Sequence, residues 1–329
     1  MKVLVYEHIS SGGFLVFGRT LIPEGLGMLR ALLADFARLG HQVWTVLHPR
    51  LASAVRLPPG CEVVPGREKG IFRALVREVD AVLVVAPETG GVLARLTAEA
   101  ERAGRLVLGS TSRAVRIAGH KAKTGRVLRR LGIPTPPTWT VRTSRDLLRL
   151  GPRLHYPVVC KPPDGVGCED VFVARTPDGL LRAAEMLGRD GREFLVQPYI
   201  KGVHASVALL GDGQRVTPLC LNAQWIRGSR RLVYCGGATP LEHPMAERAK
   251  THAARVVEGI RGLRGFFGVD LVLTQGEAFV IEVNPRITTA YLGVRRVFCG
   301  NLAEAILQAS QGRLPARPQI RGRATYRVG

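Results

Sequence analysis

The segment FVIEVNPRITTAY, near the C-terminal end of the chain, places Glu282 and Asn284 two residues apart in an otherwise apolar strand. Side chains at positions i and i+2 of a strand point to the same face, so a carboxylate and an amide share one side of a segment that Val280, Ile281 and Val283 mark as largely buried. Buried polar groups need partners. An isolated Glu-x-Asn pair is more readily explained by hydrogen bonds at a strand end, so its neighbours decide the interpretation.

The residues before this strand, VDLVLTQGEAF, predict a β-hairpin. If residues 275–277 form the loop, Asp270 lies opposite Glu282, whereas a two-residue loop pairs Asp270 with Ile281. Only the first register gathers Asp270, Glu282 and Asn284 on one face. We therefore expect that register.

Asp270, Glu282 and Asn284 would then form an all-oxygen cluster without His or Cys. Such a cluster suits Mg²⁺, or Mn²⁺, bound together with substrate phosphates. Without a cation the two buried carboxylates would repel each other, and one would have to be protonated. Arg286, two residues beyond Asn284, could place a guanidinium group beside the ligand that the metal holds, which points to phosphate.

Lysine is scarce, with seven residues among 47 Lys and Arg, and two of the seven stand where phosphate chemistry needs them. Lys161 ends the strand PVVCK, and the loop from Asp164 through Gly165 to Gly167 follows it; glycines let backbone N–H groups approach an anion. Lys121 begins a helix. Both lysines could instead be solvated, an alternative that is weaker for Lys161 because charged residues inside strands are seldom without a role.

The segment LVQPYIKG runs from a strand into an extended linker. Backbone groups of Pro198, Tyr199 and Ile200 could contact an adenine edge, with Gln197 nearby and the Ile200 side chain as an apolar platform. Alone this signal is not specific. Its value lies in the order of the motifs along the chain: lysine, lysine with a glycine loop, linker, aspartate, and Glu-x-Asn.

That order resembles the ATP-grasp superfamily of carboxylate–amine ligases over about residues 105–312. The resemblance implies ATP and Mg²⁺ (or Mn²⁺) as cofactors. It implies nucleotide binding by Lys121, Lys161, Asp164, Gly165, Gly167, Gln197, Pro198, Tyr199, Ile200 and His204, metal binding by Asp270, Glu282 and Asn284, and catalytic roles for Lys161 and Arg286. His120 and His204 stand where the family often has acidic residues, which implies altered nucleotide affinity and leaves an inactive member open.

The same resemblance implies transfer of the γ-phosphoryl group to a carboxylate, attack of an amine on the acylphosphate, and release of ADP and phosphate. The opening YEHISSGGF and the ending NPRITTAYLG further resemble ligases of methanofuran and methylofuran biosynthesis, which join the γ-carboxyl group of glutamate to tyramine or tyrosine. On that resemblance the acid pocket would be lined by Thr288, Thr289 and Tyr291, and the amine or phenol would be received by Glu7, Ser10 and Ser11. Alternatively, these residues satisfy only their own backbone.

Three predicted domains position these residues. Strands KVLVYE, HQVWTVL, AVLVVAP and RLVLGS alternate with helices over residues 1–110, including a helical stretch near 67–78, which predicts an open parallel α/β domain. Residues 111–199 predict a small α+β unit with a helix from Thr143 or Ser144, and residues 200–329 predict a further sheet carrying the metal site. The fold class expected is thus α/β and α+β, an ATP-grasp fold behind an N-terminal α/β domain.

Composition narrows the partners. The formal charge of +21 comes from Arg scattered along all 329 residues, without a basic block, so nucleic acid is not expected. The sequence contains no run of 18 apolar residues, so no membrane span is expected. Its six cysteines form no C-x-x-C pair, which fits a reduced, cytoplasmic protein. Small molecules are the expected partners, and a homo-oligomer remains open. Another amino-acid ligase and a non-catalytic nucleotide-binding protein are the alternatives.

Overall fold

The computed structural model describes residues 1–18, 20–52, 55–66 and 70–328. Its N-terminal part contains five parallel strands: β1 (Lys2–Glu7), β2 (Gln42–Leu47), β3 (Cys61–Pro65), β4 (Ala81–Val85) and β5 (Leu106–Val107). Their order in the sheet is β3-β2-β1-β4-β5. Four of these strands lie where the sequence predicts them, and β3 is an addition.

Five helices accompany this sheet: α1 (Phe14–Phe17), α2 (Ile22–Ala37), α3 (Pro49–Ala52), α4 (Ile71–Glu78) and α5 (Val92–Arg102). The side chains of β1 alternate between two cores, because Val3 and Val5 pack with α2 while Leu4 and Tyr6 pack with α4 and α5. Both faces of the sheet are therefore covered, as parallel sheets require. The predicted helical stretch near 67–78 begins at residues 67–69, which lie outside the described residues.

The segment after β1 is helical. Residues Ile9–Gly13 form one wide helical turn that runs directly into α1. Gly12 takes a φ of 131° inside this turn, a conformation that side-chain-bearing residues rarely adopt. The chain therefore leaves β1 in a fixed, compact path across the end of the sheet.

The central part is a four-stranded antiparallel sheet built from β6 (Trp139–Val141), β7 (Val158–Lys161), β8 (Phe172–Ala174) and β9 (Phe194–Pro198) in the order β6-β9-β7-β8. Its surrounding helices are α6 (Ser112–Ala118), α7 (Lys121–Arg130), α8 (Ser144–Leu150) and α9 (Pro177–Leu187). α8 begins at Ser144, one of the two starts that the sequence predicts, and Thr143 caps it through a reciprocal pair of hydrogen bonds with Asp146.

The C-terminal part is a six-stranded antiparallel sheet in the order β14-β13-β10-β11-β12-β15. Its strands are β10 (Val203–Asp212), β11 (Val216–Arg227), β12 (Val233–Thr239), β13 (Arg264–Leu273), β14 (Ala278–Asn284) and β15 (Ala324–Arg327). Its helices are α10 (Ala246–Gly259), α11 (Tyr291–Val297) and α12 (Leu302–Ser310). The sequence analysis did not anticipate α11 or β15.

Two cores hold this sheet in place. One face packs against α10 and also against α6 and α7, although the sequence groups those two helices with the central unit. The opposite face shares a core with α12, α11 and α2, which docks the C-terminal sheet onto the N-terminal one. No helix in the described part of the chain is both long and apolar enough to span a membrane.

Candidate active site

The β13–β14 hairpin reaches the expected pairing by an unexpected route. The N–H of Thr274 donates to the carbonyl of Glu277 over 2.9 Å, so the loop has two residues, where three were expected. A β-bulge between Asp270 and Leu271 then shifts the register by one residue. Asp270 consequently lies opposite Glu282.

The bulge also determines what faces the cleft. Val280 and Val283 are buried in the core behind the sheet, and the two residues between them, Ile281 and Glu282, both line the open face. A regular strand would place adjacent side chains on opposite faces. The extra residue therefore supplies an apolar wall and a carboxylate side by side.

Hydrogen bonds hold the two carboxylates. Asp270 accepts from Gln224 Nε2 at Oδ1 over 3.0 Å and from Asn284 Nδ2 at Oδ2 over 3.1 Å. Glu282 Oε2 lies 3.1 Å from Lys121 Nζ. Among the described residues no hydrogen bond engages the side-chain oxygen of Asn284, which lines the second cleft described below.

The charges of this cluster are strongly coupled. Burial raises the pKa of Asp270 well above its ordinary value, and the Glu282 charge raises it further. Burial acts in the same direction on Glu282, but the ammonium groups of Lys121 and Lys161 outweigh it and lower the Glu282 pKa. Glu282 is thus the more acidic of the two carboxyl groups.

This donor set fits Mg²⁺. The described part of the chain contains no cluster of three or more His, Cys, Asp or Glu side chains that could hold a metal ion. Two carboxylates and an amide oxygen match the habit of Mg²⁺, which takes one or two carboxylates and completes its shell with water and phosphate oxygens. A divalent cation would also relieve the repulsion that raises the pKa of Asp270.

A first cleft of about 820 Å³ lies between the four-stranded and six-stranded sheets and gathers most of the predicted nucleotide and metal residues. Those that line it are Lys121, Lys161, Gly165, Gln197, Pro198, Tyr199, Ile200, His204, Asp270 and Glu282. Val159, Ile226, Leu232 and Ile281 add apolar walls. The cleft therefore combines an apolar slot with a charged end.

Lys161 lies at the charged end with only 4% of its surface exposed. Burial lowers its pKa to about 8, an effect that Glu282 partly offsets. Among the described residues no hydrogen bond or ion pair engages its ammonium group. Lys121, by contrast, donates to the carbonyl of Gly165 over 2.6 Å as well as pairing with Glu282.

The hinge offers fewer backbone groups than the sequence suggested. The N–H of Tyr199 donates to the carbonyl of Pro157 over 3.0 Å, and Pro198 has no N–H. Gln197 donates its side-chain amide to Thr138 over 2.7 Å. The N–H of Ile200 is thus the hinge donor left for a ligand among these residues.

Asp164 faces away from the first cleft. Its Oδ2 accepts from the N–H of Gly90 over 2.9 Å, and its carbonyl accepts from Thr89 Oγ1 over 2.8 Å. Gly167, at a φ of +60°, turns the loop back toward the site. The sequence predicts that the Asp164 side chain contacts the nucleotide; in the structure it fastens the glycine loop to the turn after β4.

The two histidines at the departures from the family pattern lie in different settings. His204 lines the first cleft, and burial lowers its pKa, so it stays neutral near pH 7. His120 precedes α7 with its Nε2 3.6 Å from Glu193, outside the lining of the first cleft.

A second cleft, of about 570 Å³, adjoins the first at Asp270 and Glu282. Asn284, Arg286, Thr288 and Thr289 line it, together with Tyr234, Ser206 and Gln224. Arg286 Nε donates to Glu88 Oε1 over 3.0 Å, and its Nη1 donates to the carbonyl of Ile287 over 3.1 Å. This cleft is polar, with one guanidinium group at its edge.

A third cleft, of about 360 Å³, lies on the far side of Arg286 against the N-terminal sheet. Its walls are mainly apolar and include Ile9, Leu21, Met28, Val85 and Val166. The second and third clefts share Glu24, Gly167 and Arg286. The three clefts thus form a row, with charged residues at both junctions.

Several residues expected to bind substrate serve the fold. Tyr291 is fully buried and donates its hydroxyl to Asp35 over 2.7 Å, so it does not line the acid pocket. Ser10 and Ser11 donate to the carbonyls of Glu7 and His8 over 3.3 and 2.9 Å. These hydroxyls satisfy their own turn, which is the alternative that the sequence left open.

Glu7 lines the third cleft but is already engaged. Its two carboxylate oxygens accept from the N–H groups of Ile9 and Ser10 over 3.0 and 2.7 Å. An ideal Cβ at position 25 would lie 2.7 Å from this carboxylate, so Gly25 makes room for it. Glu7 therefore shapes the turn after β1, because both of its carboxylate oxygens accept a hydrogen bond from that turn.

Sequence reasoning missed Glu24, Glu88, Gln224 and Tyr234, all of which line or support the clefts. A signal existed for Glu88, because it follows β4 and ligands of open α/β sheets bind beyond the carboxyl ends of the strands. Glu24, in the first turn of α2, carried no motif.

The chain matches two family descriptions. Residues 118–290 match the ATP-grasp domain, and residues 41–115 match the pre ATP-grasp 3 domain. A tyramine–L-glutamate ligase from Methanocaldococcus jannaschii is 28% identical over 302 residues, covering 89% of this chain and 84% of that one.

Solved structures share the fold. An ATP-grasp superfamily protein from Archaeoglobus fulgidus superposes with a TM-score of 0.73 and 24% identity over 99% of this chain and 92% of its own. The biotin carboxylase domain of the Hydrogenobacter thermophilus 2-oxoglutarate carboxylase, solved with MgADP and bicarbonate, gives a TM-score of 0.77 at 17% identity, over 98% of this chain and 73% of its own. The chain belongs to the ATP-grasp family, and the expected ATP-grasp ligase is confirmed.

Proposed function

We propose that this protein joins the γ-carboxyl group of glutamate to tyramine or tyrosine, with ATP converted to ADP and phosphate through an acylphosphate. The observation that carries this proposal is the row of three clefts: a cleft lined by lysines and carboxylates, a polar cleft beyond it, and an apolar cleft beside Arg286. The relative from Methanocaldococcus jannaschii bears the name of this activity.

In this proposal ATP occupies the first cleft, clasped between the central unit (residues 111–199) and the C-terminal unit (residues 200–329), with residues 1–110 closing the far side. The adenine ring lies between Val159 and Ile281 and accepts from the N–H of Ile200, the free hinge donor. Lys161 supplies an unengaged ammonium group to the phosphates. Lys121 reaches them by exchanging its bond to Glu282 for one to phosphate.

Asp270, Glu282 and Asn284 would hold Mg²⁺, or Mn²⁺, which would neutralise phosphate charge in this part of the cleft. The carboxylate oxygen of the acid attacks the γ-phosphorus, and the bond to the β-phosphate oxygen breaks, which releases ADP. Arg286 lies beside the second cleft and stabilises the negative charge that develops on the transferred group and on the acyl oxygen. Attack of the amine then expels phosphate.

The acid lies in the second cleft, where Thr288 and Thr289 offer hydroxyl groups and Arg286 offers a guanidinium group. Glutamate suits such a polar site, because its α-carboxylate and α-ammonium groups both require hydrogen-bonding partners. The aromatic amine lies in the apolar third cleft. The two reacting groups meet at Arg286, which borders both clefts.

Mass spectrometry tests the proposal directly. The protein is incubated with ATP, Mg²⁺, glutamate and either tyramine or tyrosine, and we expect a γ-glutamyl amide, ADP and phosphate in equal amounts. Glutamate labelled with heavy oxygen in its γ-carboxyl group should transfer one labelled atom to phosphate, because the acylphosphate carries that oxygen. AMP with pyrophosphate, or unlabelled phosphate beside labelled amide, contradicts the mechanism.

A panel of acids and amines separates the substrate from the reaction class. If another acid–amine pair yields an amide and ADP while glutamate with tyramine or tyrosine does not, the ligase class stands and the substrate assignment is wrong. A protein that binds ATP but releases no phosphate with any pair of the panel is a nucleotide-binding protein. The variant Glu282→Gln serves as the inactive control.

A further inference from the structure

The third cleft has an apolar lining that suits an aromatic ring. Ile9, Leu21 and Met28 form one wall, and Val85 and Val166 form another. An aromatic ring gains most of its binding free energy from such contacts.

Opposite charges mark the mouth of this slot. Glu24, Gly167 and Arg286 are shared with the polar second cleft, so any molecule that extends from one cleft into the other passes them. Glu24 lies in the first turn of α2, and an ideal Cβ at position 167 would lie 3.9 Å from its Oε2. A carboxylate thus faces the path between the acid and the aromatic slot.

Glu24 differs from the other acids nearby in being unengaged. Glu88 is paired with Arg286 over 3.0 Å, Glu169 accepts from Thr20 over 3.4 Å, and Glu7 accepts two backbone N–H groups. Within the part of the chain that the structure describes, no hydrogen bond or ion pair within 4.0 Å engages the Glu24 carboxylate. A half-buried carboxylate in this position calls for a cationic partner.

We infer that Glu24 binds the ammonium group of the amine substrate and accepts the proton that this group loses. The inference rests on the proposed function and assigns the amine half of it. The ammonium group transfers one proton to the Glu24 carboxylate, and the resulting neutral nitrogen attacks the acyl carbon held beside Arg286. The new C–N bond forms as the bond to the phosphate oxygen breaks, and the second proton of the nitrogen leaves with phosphate.

The electrostatic setting agrees with this role. Burial raises the pKa of Glu24 from its ordinary value, Arg286 opposes that rise, and Glu169 and Glu88 add to it. Among the described residues, Glu7 also faces Glu24 from a neighbouring element. A carboxylate with a raised pKa accepts a proton more readily than an ordinary one, and acceptance is easiest when the pKa approaches the working pH.

The test compares two nucleophiles in the variant Glu24→Gln. Hydroxylamine is largely uncharged near neutral pH, so it needs neither a carboxylate partner nor a proton acceptor, whereas tyramine needs both. We expect kcat/KM for tyramine to fall about 10- to 100-fold more than the rate of γ-glutamyl hydroxamate formation, since one charge-assisted contact is lost. The KM for glutamate should stay within a few fold. Glu78→Gln, the same change at an exposed helix end of the N-terminal part, is the matched control.

Each outcome decides one claim. Equal losses with hydroxylamine and tyramine, or a selective rise of the KM for glutamate, place Glu24 on the acid side and overturn the inference. Glu24→Asp retains the charge and should recover part of the tyramine activity; no recovery, with a folded protein by circular dichroism, also counts against it. If the wild-type protein forms neither amide nor hydroxamate, the proposed function itself fails.

Discussion

Arg286 Nε donates to Glu88 Oε1 over 3.0 Å, and this bond joins the end of β14 to the end of β4 across 198 residues of sequence. Both side chains are buried, with 10% and 6% of their surfaces exposed. The second carboxylate oxygen of Glu88 has no hydrogen-bond partner among the described residues. The pair therefore fixes the guanidinium group at the junction of the clefts and also links the N-terminal sheet to the C-terminal one.

Removing one member of this pair should destabilise the protein. Glu88→Ala leaves a buried guanidinium group without its carboxylate, and we expect the free energy of unfolding to fall by about 3–5 kcal/mol in urea denaturation. The double variant Glu88→Leu/Arg286→Met removes both charges and should recover most of that loss. We expect the double variant to have no ligase activity, because it lacks the Arg286 guanidinium group. Recovery of activity together with stability would show that Arg286 has only a structural role.

Removing the Lys161 charge, unlike removing the Glu88 charge, should not destabilise the protein. Its ammonium group is buried without a described partner, so Lys161→Met removes a desolvation cost and should leave the melting temperature unchanged or raise it. The affinity for ATP should fall about 10- to 100-fold in calorimetry, because a charged contact to phosphate is lost. The exposed Lys2→Met, at the far end of β1, is the control. Unchanged affinity would remove Lys161 from the nucleotide site.

The same lysine predicts a pH dependence. Burial lowers its pKa from 10.5 to about 8, so the folded protein binds fewer protons than the unfolded chain between these values. The contribution of Lys161 to the free energy of unfolding therefore rises with pH across that window. ATP affinity should move the other way and fall by up to about tenfold per pH unit above about pH 8. Lys161→Met should lack both effects; the same profile in the variant would assign them to another group.

The sequence predicted most of the elements that surround the site, although not β3, α11 or β15, because alternation and spacing are local rules. Alternation of strands and helices predicted the N-terminal sheet, and the spacing of Glu282 and Asn284 predicted an oxygen cluster with Asp270. The register was deduced for the wrong reason, since a bulge and not a longer loop brings Asp270 opposite Glu282. A bulge depends on what packs on both faces of a strand, which periodicity alone does not show.

What the sequence could not provide is which polar groups are already engaged. Asp164 and Ser10 carry suitable chemistry, yet each is occupied by a partner that folding brings to it, Gly90 in the first case and Glu7 in the second. Glu24 is available because none of the described residues pairs with it. Partners from distant parts of the chain decide such matters, and no local spacing records them.

Asp164 therefore gives a prediction that separates the two interpretations. The variant Asp164→Ala loses the bond from the N–H of Gly90, and we expect a loss of stability of about 0.5–1.5 kcal/mol, as for an ordinary hydrogen bond. ATP affinity should change by less than tenfold. Thr89→Val, which removes the neighbouring bond to the Asp164 carbonyl, should give a similar result. A large loss of affinity in Asp164→Ala alone would restore this side chain to the nucleotide site.

The metal cluster gives the last prediction. Glu282→Gln keeps the shape of the side chain and removes the charge of the more acidic carboxyl group of the cluster, so the proposed site loses an anionic ligand for Mg²⁺. We expect the rate of ADP formation to fall about 100-fold or more at ordinary Mg²⁺, and part of it to return as Mg²⁺ or Mn²⁺ is raised. The fold should survive, because Val280 and Val283 on the opposite face of β14 carry the packing. Glu258→Gln, at an exposed position of α10, should leave the Mg²⁺ titration unchanged. A wild-type Mg²⁺ titration in Glu282→Gln would mean that the metal is held elsewhere.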